Sequence, residues 1–383
     1  MTTPRHLDPV ALTRQLIGFE TVNPPGRERA CAAFLADILE GAGFSCALID
    51  LAEDRCSLIA TRRGRGEGLP LAFTGHLDVV PLGAAAWTHS PFAGDVIAGK
   101  LFGRGASDMK AGVAAFVCAA LAEPEAIEAG PGTTLILTAG EETGCVGAIA
   151  LVAGGRIEPA GALIVGEPTG NAVFVGHKGA LWLRGVARGI TAHGSMPELG
   201  DNAILKAARA VQALTAYRFG TEPHPALGRP TLNIGTIAGG LNINSVPDRC
   251  EIGIDIRTVP GLDHAWLRQD VARTAGPDLD LEVLIDLPGI WTEMDLPWVK
   301  EVARQVAEET GQTAQVATAT YFTDAAVLTP ALKGMPTLIL GPGEPSQAHQ
   351  TDEWCSVARI NEAAAIYRRV IRGWTDASRR LPN

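Results

Sequence analysis

The sequence predicts an α/β fold, a helix-covered sheet interrupted by a smaller α+β insert, and three observations lead there. Near-continuous apolar runs alternate with helical stretches through the first half of the chain, the pattern of strands buried on both faces. After about residue 178 the rhythm becomes β-α-β-β-α-β, the ferredoxin-like order. From about residue 293 the first rhythm resumes, so one domain is expected to sit within the other: 1–177 with 293–383, and 178–292.

Each element has a local reason. A helix is expected from "LDPVALTRQLIGF", with Asp8 as N-cap and Pro9 at the first helical position. A second runs through "RERACAAFLADILEGAG" and stops at glycine. The strands are "FSCALIDL", "CSLIATRR", "LPLAFTGHLDVV", "TTLILTAG" and "ALIVGEP"; "MKAGVAAFVCAALAE" and "GCVGAIALVAGG" supply helices between them. In the insert, "ALWLRGVARG", "PTLNIGTIAGG", "RCEIGIDIRTV" and "LDLEVLIDL" read as strands, with "DNAILKAARAVQALTAY" and "DHAWLRQDVARTAG" as helices. The last part adds helix "LPWVKEVARQVAEETG", strands "TAQVATATY" and "PTLILG", and helix "VARINEAAAIYRRVIRGW". No internal repeat or low-complexity tract interrupts this pattern.

Composition narrows the partners. With 383 residues, 46% hydrophobic and 19% charged, the chain can build a sizeable core. Its 32 basic and 42 acidic residues give a net charge of −10, which argues against nucleic acid and anionic membranes. The start, "MTTPRHLDPVALTRQ", has no apolar h-region, and no stretch is long and apolar enough to span a bilayer. A soluble, cytoplasmic protein is expected. The seven cysteines are scattered, with no C-x-x-C, and read as reduced, mostly buried thiols.

The chemistry sits where apolar strands end. "AFTGHLDVV" carries His76 and Asp78, two residues apart and so expected on one face of a strand. Asp108 lies in the glycine-rich "GRGASDMKAG", the adjacent Glu141 and Glu142 close "TTLILTAG", Glu167 follows "ALIV", and His349 comes late in "QAHQTDEW". Singly each has a bland reading: a structural histidine, a solvated acid pair, a turn aspartate capping a helix. Together they place imidazole and carboxylate at successive strand ends, which converge on one crevice in an open α/β sheet. Such a donor set suits Zn²⁺, Co²⁺ or Mn²⁺ better than Ca²⁺. A metal also explains paired glutamates: one binds the cation and the other remains a base toward water.

"GHLDVVP", "WTHSPFAGDVIAGKLFGRGASDMKAG", "TAGEETG", "VGEPT", "TAHGSMPELGDNAI", "NINSVPDRCEIGIDIRTVP" and "GPGEPSQAHQTDEW" together resemble the M20 metallopeptidase family over nearly the whole chain. The resemblance implies a zinc-peptidase-like catalytic domain with an inserted ferredoxin-like lid that also mediates homodimerisation. It implies two divalent metal ions, Zn²⁺ first and Co²⁺ or Mn²⁺ as alternatives, bridged by Asp108. His76 and Glu167 would complete one site, Glu142 and His349 the other, with Asp78 orienting His76 and Glu141 as general base. A cis peptide bond at Asp108–Met109 is implied too. On the lid, His193 would stabilise an oxyanion in the partner's site, and Asn244 and Arg257 would contact the substrate carboxylate; a turn-capping His193 and a salt-bridged Arg257 are the bland alternatives.

Three stretches, "GHKG", "YFTDA" and "GPG" with "QAHQTDEW", lean toward the acetylornithine deacetylase side of the acetylornithine deacetylase and succinyl-diaminopimelate desuccinylase branch. The expected reaction is removal of the N-acyl group from a small N-acyl-L-amino acid. Succinyl-diaminopimelate desuccinylase, an exopeptidase acting on peptides, and a non-catalytic metal- or ligand-binding dimer are the alternatives. Asp324 or Glu198 would face a substrate ammonium. His6, His89, His224 and His264 read as surface or structural residues, His177 and Lys178 as hinge or pocket residues.

Overall fold

The first helix begins where Asp8 accepts a hydrogen bond from the Val10 N–H at 3.0 Å and Pro9 fixes the first turn. The computed structural model describes residues 7–314 and 316–377; His6 lies outside them. Two compact units result, one of residues 1–176, 291–318 and 323–383, the other of 177–290 and 319–322.

The first unit holds α1 (Pro9–Ile17), α2 (Glu28–Gly41), β1 (Ser45–Ala52), β2 (Arg55–Arg63), β3 (Leu71–His76), β4 (Val96–Ile97), β5 (Lys100–Phe102), α3 (Ala111–Ala122), α4 (Pro124–Ala129), β6 (Gly132–Thr138), α5 (Val146–Ala153), β7 (Ala162–Val165) and β8 (Val173–His177). The second holds β9 (Gly179–Arg188), α6 (Ala203–Thr215), β10 (Thr231–Gly239), β11 (Arg249–Thr258), α7 (His264–Ala275) and β12 (Leu279–Leu287). After it come β13 (Ile290–Trp291), α8 (Pro297–Thr310), β14 (Val316–Ala319), α9 (Ala325–Ala331), β15 (Thr337–Ile339), β16 (Trp354–Ser356) and α10 (Val357–Ala377).

The large sheet is mixed, in the order β1-β2-β6-β3-β7-β15-β8, with β13 and β14 beside β8. Its centre, β6-β3-β7-β15, is parallel, and every residue of those strands is buried. The alanine-rich α3 is buried on nearly all sides and packs against α1 and α10. Phe73, Phe116 and Tyr367 meet in this core, with ring centroids 5.7 and 5.4 Å from Phe73. Because the central strands are parallel, His76, the Glu141 turn, Glu167 and the loop after β15 all emerge at one sheet edge.

Coverage of both sheet faces fails at the β1 end. β1 pairs antiparallel with β2 and is half exposed, and an open groove of about 530 Å³ runs along Ala47, Ile59, Thr134 and Ile136. The sequence reading also passes over the three-stranded sheet β16-β5-β4. Strands of two or three residues are too short to show a period.

The second unit is an antiparallel sheet in the order β10-β11-β9-β12 carrying α6 and α7. Asn202 and Asp263 cap the two helices. Ala203, Ala207, Ala210, Leu214, Leu267 and Val271 then pack on Leu181, Leu183, Ile252 and Ile254. All seven cysteines are free, and all but Cys46 are buried.

Candidate metal centre

β3 ends at His76, whose ring is almost wholly enclosed. Its Nδ1 lies 2.9 Å from the Asp78 carbonyl oxygen. A carbonyl only accepts, so the ring proton sits on Nδ1 and Nε2 offers a lone pair. That lone pair faces Asp108 Oδ1 at 3.1 Å and Glu167 Oε1 at 3.6 Å. Acceptors this close need a shared cation between them, a proton or a metal.

Asp108 stands in a kinked turn over Ala106–Lys110, its own backbone extended at φ −121°, ψ 92°. The turn opens at Gly105, where φ is 85° and a Cβ would meet Val79 at 2.7 Å, so only glycine serves there. The Asp108–Met109 peptide bond is cis. The second Asp108 oxygen lies 3.4 Å from His349 Nε2, and that nitrogen is 3.1 Å from Glu142 Oε2. One carboxylate thus sits between two imidazoles, with Glu167 on the His76 side and Glu142 on the His349 side.

Glu141 and Glu142 leave β6 through Gly140, at φ 71°, where a Cβ would collide with Val146. Their backbone N–H groups donate to the Asp78 carboxylate at 3.1 and 3.3 Å, and Asn23 Nδ2 donates to it at 2.8 Å. Asp78 lies against His76, as expected, and also carries the acid pair. β3 stops at His76, so strand alternation does not govern Asp78. Its carbonyl aligns the ring, while its carboxylate, 3.6 Å from Nδ1, carries the acid pair. The Glu141 side chain has the Cys145 thiol 3.8 Å from Oε1.

Burial pushes the Glu141 and Glu167 carboxyls well above their ordinary range, and neighbouring acids add to it; Glu142 is raised for the same reasons. Asp108 goes the other way: burial would raise it, but its bonds to His349 and His76 hold it well below. The bonds to Asp108 and Glu142 push His349 up to about 10. His76 is raised although burial opposes it, because Glu167 and Asp108 face it. Such a cluster gathers cations. Glu142 Oε1 is buried without a hydrogen-bond partner, and His76, Asp108 and Glu142 offer ligand atoms within 4.8 Å of one another, as do His76, Glu141 and Glu167. The donor set fits divalent transition metals.

Asp324 does not stand open to a substrate ammonium. It is buried, accepts from Thr138 Oγ1, and burial pushes its carboxyl up to about 6. Sequence reasoning missed Asn23 and Glu353, whose parts are hydrogen bonds between distant segments; neither stands in a pattern that a strand or helix period would mark.

In the second unit His193 is exposed, and its Nδ1 accepts from the Ser195 N–H at 3.2 Å, which leaves the ring proton to Nε2. Asn244 is exposed too, and its carbonyl accepts from Gly194 at 2.7 Å. Arg257 is half-buried, paired through Nε with Asp255 at 3.0 Å, its guanidinium 5.9 Å from the Trp182 ring centroid. His264 bonds Asp286 and Thr258, the His224 ring accepts from Ala226 and Leu227, and the His89 ring packs tilted against Phe102. His177 is fully buried.

A family model described as peptidase family M20/M25/M40 matches residues 72–373. The chain belongs to this family. A succinyl-diaminopimelate desuccinylase of Cereibacter sphaeroides is 32% identical over 397 aligned positions, covering 96% of this chain and 99% of that one. A probable succinyl-diaminopimelate desuccinylase of Staphylococcus epidermidis is 29% identical, covering 98% and 100%. Among solved structures, an M20 family metallo-carboxypeptidase of Sulfolobus solfataricus superposes with a TM-score of 0.82 at 17% identity, covering 97% and 100%. The M20 fold is therefore shared across nearly the full chain, and this M20 protein is a metal-binding hydrolase. Among the described residues no helix is long and apolar enough to cross a membrane.

Proposed function

We propose that the protein is a metal-dependent amidohydrolase that removes the acyl group from a small N-acyl-L-amino acid. The observation that carries this reading is the His76 lone pair facing two buried carboxylates across 3.1 and 3.6 Å. His76, Asp108 and Glu167 would hold one divalent ion, and Asp108, Glu142 and His349 a second, with Zn²⁺ the first choice and Co²⁺ or Mn²⁺ alternatives. Ions bound there supply Lewis-acid polarisation of the acyl carbonyl and lower the pKa of water.

Glu141 lies near His76 without a hydrogen bond to it, is touched by a thiol, and acts as the base. It takes a proton from the attacking water as the new C–O bond forms, then gives it to the amine nitrogen as the C–N bond breaks. Asp78 holds that carboxylate's loop and the His76 ring in register. His193, with its ring proton on Nε2, serves as an oxyanion donor, while Arg257 and Asn244 take the substrate carboxylate.

We assign these three residues to a lid and dimerisation domain, 178–292. Support comes from the outer strand β10, mostly exposed, and from Ile237, Leu241 and Ile243, at 55%, 96% and 105% exposure, apolar surface that a second copy would cover.

Two substrate readings are carried, and only the first has named relatives behind it. The named relatives favour succinyl-diaminopimelate; "GHKG", "YFTDA" and the "QAHQTDEW" region favour acetylornithine. Hydrolysis of both compounds, other N-acetyl amino acids and dipeptides, with and without chelator, tests the proposal. Chelator-sensitive turnover of an N-acyl amino acid is expected. Turnover confined to dipeptides would make the protein an exopeptidase, and activity indifferent to metal removal would end the metal reading.

A further inference from the structure

The Asp108 turn is fastened from below by a carboxylate outside the metal cluster. Glu353 is completely buried one residue before β16. Its Oε1 accepts from the N–H groups of Ser107 at 2.7 Å and Asp108 at 3.0 Å. Its Oε2 accepts from the Gly105 N–H at 2.9 Å and from Arg104 Nη1 at 2.7 Å. Four donors from one run of five residues thus converge on a single side chain. Successive backbone N–H groups in a tight turn form a concavity that binds anions, and here the chain supplies its own.

Resting on the metal reading above, we propose that Glu353 is a positioning residue that sets where Asp108 presents its carboxylate between His76 and His349. The surrounding bonds give it leverage. Gly103 N–H donates to the Glu353 carbonyl at 2.9 Å, and Ser107 Oγ donates to the Trp354 carbonyl at 2.8 Å. Asp352 Oδ1 accepts from Thr88 and His89 N–H groups at 2.8 and 3.2 Å, and β16 pairs with β5. The segment that carries His349 is therefore fixed to the segment that carries Asp108. A neutral amide could not replace Glu353. Its nitrogen would face backbone donors instead of accepting from them, which leaves buried N–H groups without an acceptor.

The test titrates Co²⁺ into the chelator-stripped full chain, wild type and Glu353→Gln, following visible absorption together with circular dichroism and Tm. Glu353→Gln is expected to fold, bind Co²⁺ about 10–100-fold more weakly, and give an altered spectrum when loaded. Glu123→Gln is the control. It removes a carboxylate bonded to Arg368 and Arg372 on α10, away from the turn, and should lower Tm while leaving Co²⁺ affinity within about twofold of wild type. The proposal is overturned if Glu353→Gln matches wild type in affinity and spectrum, or if Glu123→Gln loses as much affinity. Should Glu353→Gln not fold, Glu353→Asp carries the same comparison: it keeps the charge near Arg104 but draws it back from the turn by one methylene. A wild type that takes up no Co²⁺ removes the metal reading, and this inference with it.

Discussion

The polar candidates of the two units live in opposite environments. In the first, His76, Asp78, Asp108, Glu141 and Glu167 are buried and bonded to one another or to backbone that positions them. In the second, His193 and Asn244 are exposed and Arg257 half-buried; Ser195 and Asp255, each two residues away, hold His193 and Arg257, and the Asn244 carbonyl accepts from the Gly194 N–H. A buried acid cluster is costly unless a cation completes it, so the first unit asks for metal. An exposed histidine and a half-buried arginine cost little as they stand. They acquire a task only when something else arrives, a substrate or a second copy. The contrast predicts that substitutions in the first unit remove chemistry or metal, whereas those in the second weaken steps that depend on an arriving group.

The largest effect is expected at Glu141. Glu141→Gln keeps the shape and removes the base, so kcat should fall by about 10²–10⁴-fold while metal content, measured by elemental analysis, stays at the wild-type level. Loss of metal together with activity would make Glu141 a ligand and move it to the same class as Glu142. Next comes His193. Removing one oxyanion donor costs about 10²–10³ in kcat, and His193→Ala should show that without losing metal. If His193 serves the partner's site, mixing His193→Ala with Glu141→Gln protomers restores part of the activity; none after verified subunit exchange would confine His193 to its own chain. Arg257→Ala should act mainly on KM, raising it by about 10–100-fold, the value of one charge-assisted contact. An unchanged KM would leave Arg257 as the partner of Asp255 alone.

What the sequence makes legible follows the same divide. His76, Asp108, Glu141, Glu142 and Glu167 show in the sequence because each stands at or near the end of an apolar strand, and parallel strands gather their ends by topology. His349 lies in an irregular loop at φ 64°, where no period marks it, and it was reachable only through the resemblance of its motif. Asn23 and Glu353 could not be read at all. Their hydrogen bonds reach residues 55 and about 245 positions away, a relation that exists only in the folded chain. The Asp78 case is intermediate: the residue was visible, but which of its atoms holds His76 depends on β3 ending one residue after Gly75.

The smallest effect is thermal and isolates the cation demand of the first unit. In the metal-free protein His349 is raised from about 6.5 in the unfolded chain to about 10 by Asp108 and Glu142. A group raised on folding stabilises below its unfolded pKa and loses that contribution as pH climbs toward the folded one. Burial raises Glu141, Glu142 and Glu167, which act in the same direction. Asp108 is lowered, so its contribution is complete at neutral pH and fades only in acid. The chelated protein should therefore lose stability between about pH 6.5 and 10 as His349 gives up its proton, whereas bound metal replaces the protons and shields the loaded form. Metal at 1,000 times its Kd adds about 4 kcal/mol, a Tm difference on the order of 10 °C, and that difference should widen with pH over the same range. A difference that stays flat or shrinks would mean that the buried acids are balanced by groups of the fold, and the contrast between the two units would lose its physical basis.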